Sequence, residues 1–387
     1  MQQVLQDNIL NFWLTRMVDR KNGGYYGRIK GDGTLVPNAN KGCILNARIL
    51  WTFSAAYRVL GKQEYLDAAT RAKNYLIEFF YDKGFGGTYW ELDYLGLPVD
   101  TKKQFYALGF ALYGLSEYAR ATGDKEALDY AIRLFKTIEG HSLDKEMNGY
   151  VEACTREWKV IEDMRLSDKD ANYPKSQNTH LHIIEPYTNL YRIWKDERLE
   201  KALRNLITIF TDKILNPETH HLDLFFENDW TRGAGALESY GHDIECSWLL
   251  HEAAIVLGDK EVLKRVEPIV QQVAKASEKG LLPDGSMIHE ANLDTGTMDD
   301  DLHWWVQAET VVGFANIYQH FGDEAALDKA RSCWEYIKKN LIDWEGGEWY
   351  WSCNRQGEIN KVDDKAGFWK CPYHNGRMCL EIIERFK

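Results

Sequence analysis

The sequence predicts an all-α fold, an (α/α)6 barrel of six helical-hairpin repeats with short β-hairpins or loops on one face. Three observations carry that prediction. Gly/aromatic clusters recur at near-constant spacing, a Gly-Asp-Lys type of turn recurs in phase with them, and apolar residues on both sides of that turn follow a 3.6-residue period.

The clusters are Gly23-Gly24-Tyr25-Tyr26, Gly86-Gly87-Thr88-Tyr89-Trp90, Asn148-Gly149-Tyr150, His221-Leu222-Asp223-Leu224-Phe225, Asp284-Gly285-Ser286-Met287 and Gly346-Gly347-Glu348-Trp349. Counted from Gly24, Gly87, Gly149, Leu222, Gly285 and Gly347, the gaps are 63, 62, 73, 63 and 62 residues. That is one unit used six times, with an insertion in the third gap. The turn appears as Gly61-Lys62-Gln63, Gly123-Asp124-Lys125, Gly258-Asp259-Lys260 and Gly322-Asp323-Glu324, with Lys195-Asp196-Glu197 as a degenerate fifth copy. Gly suits the position after a helix, and Asp leads into the next one.

Helical periodicity covers Ile44 to Arg58 and Tyr65 to Phe80, then Phe105 to Ala119 and Ala127 to Ile138. The chain opens with one helix, about Val4 to Val18, and closes with one, about Gly376 to Arg385. Pairing these two completes a sixth unit and closes the ring, which removes the exposed ends of an open solenoid. The alternative is an open helical-repeat scaffold. The expected organisation is one domain over residues 1–387.

Net charge is −12 and no Lys/Arg cluster stands out, so nucleic acid is not an expected partner. No apolar run of about 18 residues occurs, and the first seven residues lack a basic and apolar leader. Seven Cys without a C-x-x-C pair fit reduced thiols and give no zinc signature. Fourteen Trp and 21 Tyr exceed what packing needs and suit a carbohydrate cleft, where flat rings stack on sugar C–H faces. The acidic run Asp299-Asp300-Asp301 reads as a solvated loop.

If the six units are equivalent, the start of each first helix lies on one rim. Reading there gives Asn46 and Arg48, Phe105 and Tyr106, Asn178 and His182, His242 and Glu245, Trp304, Trp305 and Glu309, and Trp369 with His374 and Arg377. A purely structural barrel would place aliphatic residues at these positions. His242 and Glu245 follow Gly241, which reads as a chain break, and three-residue spacing puts them on one helix face as a proton-transfer pair. Asn178/His182 and Trp305/Glu309 are four apart and share faces likewise. His180 lies two from His182, about 200° around a helix, so only one of them faces the centre.

His141, His220, His221 and His320 read as surface or loop residues, and His251 as packed or surface-facing. His289 and His303 fall near the rim loops as candidates for an assisting role. Trp344, Trp349 and Trp351 read as packing around the last hairpin. Three rim histidines invite a metal, but their spacing matches no local ligand motif, so none is expected. No nucleotide-binding motif occurs.

Asn178-Thr179-His180-Leu181-His182, Gly241-His242-Asp243-Ile244-Glu245, His303-Trp304-Trp305-Val306-Gln307-Ala308-Glu309 and Trp369-Lys370-Cys371-Pro372-Tyr373-His374-Asn375-Gly376-Arg377 resemble the N-acylglucosamine 2-epimerase superfamily, and within it the cellobiose 2-epimerases. Lys41-Gly42-Cys43-Ile44-Leu45-Asn46-Ala47-Arg48 adds to the resemblance, which runs over nearly the whole chain. The resemblance implies an (α/α)6 barrel and reversible inversion at C2 of the reducing-end glucose of β-1,4-linked disaccharides. It implies His242 and His374 as the acid/base pair, with His182 assisting. It places Arg48, Tyr106, Asn178, Glu245, Trp304, Trp305, Glu309 and Trp369 on substrate. A disaccharide is then the expected partner. A monomer in the cytoplasm is expected, with no cofactor.

That chemistry needs an open-chain aldehyde, removal of the C2 proton and its return to the other face. Two imidazoles with ordinary pKa near 6.5 can supply both steps, and Arg48 can steady the enediolate oxygen. Three other readings stay open. An aldose–ketose isomerase or a monosaccharide 2-epimerase shares the histidine framework. An (α/α)6 glycoside hydrolase would use Glu245 and Glu309 as its two carboxylates. A sugar-binding protein would use the Trp residues alone.

Overall fold

The computed structural model describes residues 1–168, 170–299 and 301–387. Twelve helices are seen among them. They are α1 (π-helical over Val4–Leu10, then Asn11–Arg16), α2 (Cys43–Leu60), α3 (Gln63–Tyr75), α4 (Phe105–Thr122), α5 (Lys125–His141), α6 (Gln177–Ile193), α7 (Glu197–Ile209), α8 (Tyr240–Leu257), α9 (Lys260–Ser277), α10 (Trp304–Phe321), α11 (Glu324–Asn340) and α12 (Tyr373–Arg385).

The even-numbered helices form a closed inner ring. α2 packs on α4, α4 on α6, α6 on α8, α8 on α10, α10 on α12, and α12 returns to α2. Each odd-numbered helix lies outside its partner, and α1 covers α12. The fold is thus the (α/α)6 barrel. Composition explains which helix lies where. In α2 every residue from Cys43 to Ala56 is buried, as an apolar helix without a polar face requires. In α9 only Val266, Val270, Val273, Ala274 and Ser277 are buried, a single stripe against the ring.

The recurring turn behaves as its residues dictate. Gly61, Gly123, Gly258 and Gly322 end inner helices at φ of 70°, 75°, 79° and 71°, the left-handed region that suits glycine. Asp124, Asp196, Asp259 and Asp323 then accept backbone N–H bonds in the first turn of the next helix. In the degenerate copy the residue after α6 is Trp194 at φ −138°, so no glycine is needed.

The Gly/aromatic loops share a second signature. Each closes with one antiparallel bridge: Val18 to Tyr25, Tyr81 to Thr88, Leu143 to Tyr150, Leu215 to Leu222, Leu281 to Met287 and Ile342 to Trp349. This register aligns Gly24, Gly87 and Gly149 with His221, Ser286 and Glu348, so the sequence spacing slips by one residue in the last three copies. Buried ion pairs tie three of these loops to the residue two before an inner helix. They are Lys41–Asp19 at 3.0 Å, Lys103–Asp82 at 2.9 Å and Lys175–Asp144 at 2.8 Å. In the fourth unit the charges reverse: the residue two before α8 is Glu238, which lies 3.3 Å from His221 of its own loop and 3.0 Å from Lys279 beyond α9. Short strands precede α2, α4, α6, α8 and α10, and each pairs with the following unit, as Lys103–Gln104 does with Ala153–Cys154. The N-terminal ends of all six inner helices therefore open on the hairpin-bearing face.

Two boundaries differ from the sequence expectation. α1 ends at Arg16, and α12 begins at Tyr373, three residues before Gly376. Pro372 blocks continuation upstream and fixes the start. His374 is thereby helical. Among the described residues, no helix is long and apolar enough to cross a membrane.

Lys103 and Asp82 have fully buried side chains. Asp82→Ala leaves an unpaired ammonium in the interior. A loss of about 3–5 kcal/mol is expected, read by urea unfolding. Asp82→Leu with Lys103→Met is expected to restore most of it.

Candidate active site

Helix geometry sorts the rim residues into two tiers. Tyr106, His242, Trp305 and His374 are second or third residues of their helices. Arg48, His182 and Glu309 are sixth residues of theirs, roughly 6 Å deeper at 1.5 Å per residue. The upper tier lies at the mouth, where His242, Trp305, Trp369 and Asn178 are half-buried. The lower tier is buried.

Arg377 of α12 dominates the lower tier. Its side chain is fully buried. One terminal nitrogen, Nη2, donates to Glu245 at 2.7 Å and Glu309 at 2.6 Å, and the other, Nη1, donates to Glu185 and the Tyr373 hydroxyl. The guanidinium lies against Trp248 and Tyr373, 4.7 and 4.3 Å from the ring centroids. Three carboxyls around one cation cannot all be charged cheaply. Burial, then the Glu309 charge, pushes Glu245 well above its usual value. At Glu309 burial acts upward too, but Arg377 and His374 outweigh it and hold the carboxyl below its usual range. The negative charge is therefore favoured on Glu309 over Glu245.

Glu309 hands its order upward. Its Oε1 lies 2.7 Å from His374 Nδ1, and its Oε2 accepts from Trp248 Nε1 at 2.9 Å. His374 is buried, and burial pushes its pKa down to about 3 against the pull of Glu309. A neutral imidazole bonded this way carries its proton on Nδ1 and leaves the Nε2 lone pair free. His242 has a different partner, the Ser239 hydroxyl at 2.7 Å from Nδ1. Burial, then the neighbouring His289, His182 and His374, keeps its pKa well below the usual value. Both rings lie against Trp305, with centroids 4.9 Å from it for His242 and 5.6 Å for His374.

Gly241 makes that packing possible. It sits inside α8 and is not a chain break. A Cβ there would meet Trp305 Cη2 at 2.7 Å and Val306 Cγ2 at 2.9 Å. On the opposite side, Gly109 lets α4 approach the His182 carbonyl, which a Cβ would meet at 2.3 Å.

His182 is bonded through Nδ1 to Glu185 Oε2 at 3.0 Å and lies 4.8 Å from both the Tyr106 and Phe110 rings. Burial, then Arg48 and Arg377, lowers its pKa well below the usual value. Arg48 donates to the Tyr106 hydroxyl at 2.8 Å and sits 4.1 Å over the Phe110 ring. Arg48 Nε, Asn178 Oδ1 and Trp304 Nε1 are buried polar atoms with no protein partner, a pattern that suits a hydroxyl-rich ligand. Trp304 packs on Trp351 at 4.7 Å, and Trp369 meets Tyr106 edge-on at 6.0 Å.

Spacing alone misassigned several partners. Glu245 bonds Arg377 and not His242, although the two share a helix face. His180 turns away from the centre, bonding the Ser176 carbonyl at 2.6 Å and accepting from the Tyr150 amide at 2.9 Å. His221 is buried and not a surface residue. It pairs with Asp243 at 2.6 Å and lies 3.3 Å from Glu238, in the unit whose charges are reversed. Of the acidic run, Asp299 is a loop residue with 32% of its side chain exposed, and it has histidine partners. Its Oδ2 lies 3.1 Å from His289 Nδ1 and 3.4 Å from His303 Nε2. Asp300 lies outside the described residues. Trp349 is buried as expected, while Trp344 is largely exposed. Glu185, Ser239 and Tyr373 were missed. A carboxyl one turn after His182 was the available signal for Glu185.

The barrel gathers histidines, carboxyls and tryptophans from separate inner helices at one mouth, a site suited to proton transfer on a sugar. The chain belongs to the N-acylglucosamine 2-epimerase family, whose model matches residues 24–376. It is 62% identical over 383 residues to the cellobiose 2-epimerase of Bacteroides fragilis, covering 99% of this chain and 97% of that protein. It is 42% identical to the cellobiose 2-epimerase of Ruminococcus albus, covering 99% and 97%. The cellobiose 2-epimerase structure from Bacillus thermoamylovorans superposes with a TM-score of 0.94 at 44% identity, covering 99% of this chain and 98% of that one. A D-mannose isomerase structure shares the fold at 20% identity.

Arg377→Met strands three buried carboxyls. A loss of about 3–5 kcal/mol at pH 7 is expected. Without the cation, Glu309 joins Glu245 and Glu185 above the unfolded-state value, so their penalty is relieved as pH falls and they protonate. The gap between variant and parent in urea unfolding is expected to narrow from pH 7 to pH 5.

Proposed function

We propose that this chain catalyses reversible epimerisation at C2 of the reducing-end glucose of β-1,4-linked disaccharides, converting cellobiose to glucosyl-mannose and lactose to epilactose. One observation carries the reading. Two imidazoles from separate inner helices, His242 and His374, flank Trp305 with different hydrogen-bond partners. The relatives named as cellobiose 2-epimerases support the substrate class.

The reaction starts with a closed sugar ring. Opening moves a proton from O1 to O5, and His182, backed by Glu185, serves that exchange. The C2–H of the aldehyde is then acidic. One histidine takes it, and the enediolate oxygen is met by Arg48 and by the positive ends of six inner-helix dipoles that converge on this face. The other histidine, which enters this step as an imidazolium, protonates C2 from the opposite side, and exchange with solvent then returns the two rings to their starting charges. His374 becomes an imidazolium against ionised Glu309, which lowers the cost of its charge; His242, against a neutral Ser hydroxyl, gives its proton up more readily. The two are thus unequal, as an acid/base pair should be. Trp304, Trp305 and Trp369 supply apolar faces for the sugar rings, and Tyr106 and Asn178 supply hydroxyl contacts. Glu245 acts beneath them through Arg377. Inversion at C2 changes no oxidation state, so no nicotinamide is required.

The hydrolase reading needs Glu245 and Glu309 free to face a glycosidic oxygen and water. Both are bound to the same Arg377 nitrogen and buried. Seven free, buried cysteines fit a reducing cytoplasm, and the self-closing ring fits a monomer.

Incubation with cellobiose in D₂O is expected to yield the C2 epimer carrying deuterium at C2, read by NMR and chromatography. A ketose as main product would point to an aldose–ketose isomerase instead. His242→Ala and His374→Ala are each expected to lower kcat by about 10²-fold or more while keeping the parent's circular dichroism. Full activity in either variant would remove that residue from the proton path.

A further inference from the structure

We propose that His289, Asp299 and His303 form a binding site for one divalent transition-metal ion of the zinc, cobalt or nickel kind, at the barrel mouth beside His242. The site is separate from the epimerisation machinery and is not required for turnover.

All three residues come from one hairpin segment between α9 and α10. His289 precedes the strand Glu290–Asn292, Asp299 follows the strand Thr297–Met298, and His303 ends the strand Asp301–His303. Their donor atoms lie within 4.8 Å of one another. Asp299 Oδ2 is 3.1 Å from His289 Nδ1 and 3.4 Å from His303 Nε2. With metal–ligand bonds of about 2.1 Å, those separations correspond to ligand–metal–ligand angles of roughly 95° and 108°, within the range that four- to six-coordinate ions adopt. Two imidazoles and one carboxylate suit borderline transition ions over calcium or magnesium, which prefer oxygen ligands.

The site is also held in place. Asp299 Oδ1 accepts from the Asp301 amide at 3.0 Å, which orients Oδ2 toward the rings. The His289 carbonyl accepts from the Gly241 amide at 3.3 Å, tying the segment to the start of α8. The two imidazoles are 18% exposed and the carboxylate 32%, so an ion can reach them and keep water or a sugar hydroxyl in its open positions.

A second group, Glu245, Glu309 and His374, is equally close. Arg377 Nη2 already sits 2.7 and 2.6 Å from its carboxyls, and a second cation there meets that charge. Among the described residues, no Lys or Arg pairs with the outer group.

Occupancy has a consequence for turnover. The His289 ring lies 6.2 Å from His242 and 5.3 Å from Trp305. A dication there opposes formation of an imidazolium at His242 and shifts the ring against which the sugar stacks. The ion is therefore an inhibitor.

The test uses the full chain, stripped with EDTA and desalted. Titration with CoCl₂ is followed by visible absorption, and with ZnCl₂ by calorimetry. One equivalent is expected, with affinity at least tenfold weaker in Asp299→Asn and in His303→Gln, and unchanged in His374→Ala. Cellobiose turnover is expected to fall with one equivalent of Zn²⁺ and to return with EDTA, and Asp299→Asn is expected to need at least tenfold more Zn²⁺ for the same fractional loss. No stoichiometric uptake, undiminished uptake in both hairpin variants, or loss of uptake in His374→Ala would overturn the proposal. The cobalt and calorimetric readouts do not depend on the epimerase reading, so the two fail separately.

Discussion

One guanidinium organises the centre of this barrel. Arg377 binds Glu185, Glu245 and Glu309, contributed by α6, α8 and α10, from its own place on α12. Four of the six inner helices thus meet at a single buried cation. Burying one charge among three carboxyls is costly, and the cost is contained by proton placement: Glu309 stays ionised while Glu245 and Glu185 are pushed upward. The same arrangement sets the two carboxyl groups that hold site imidazoles, Glu309 at His374 and Glu185 at His182.

Topology makes this convergence possible. A closed ring of six helices directs six N-terminal ends to one face. Residues two or three into each helix reach the mouth, and residues six in reach the layer below. The chemistry is then built from side chains that several inner helices bring to each layer, with the outer helices absorbing the apolar burial. The Gly/aromatic loops and their buried Lys–Asp pairs fix where each inner helix begins, and with it the height of each site residue. A strand pair between neighbouring units links those starting points around most of the rim.

Much of the fold was legible because it is repetitive. Glycines at φ near 70° after inner helices and Asp caps before outer ones leave the same local mark in nearly every unit, and six copies turn weak signals into a count. The rim residues were legible for the same reason, as polar and aromatic side chains at one repeat phase. What was not legible is pairing between units. Glu245 was read with His242 three residues away, but its partner is Arg377, 132 residues on. Ser239 gives no signal as a histidine partner from its type alone. His221 read as a surface or loop residue because Glu238 and Asp243 lie 17 and 22 residues on, while Asp299 read as a solvated loop although one partner, His303, is only four residues away. Gly241 read as a break, whereas its missing Cβ is what lets Trp305 reach His242. Spacing along one helix reports which face a residue occupies; it does not report what the neighbouring helix brings to that face.

The account stands or falls on His374 being a neutral base held by Glu309 through Nδ1. Imidazole ¹⁵N and ¹³C NMR of the selectively labelled protein at pH 7, with His374→Ala to assign the signals, reads this directly. The predicted result is a neutral ring protonated on Nδ1, with Nε2 unprotonated, and a titration midpoint below the ordinary 6.5. A ring that is protonated on both nitrogens at pH 7, or that carries its proton on Nε2, would contradict it.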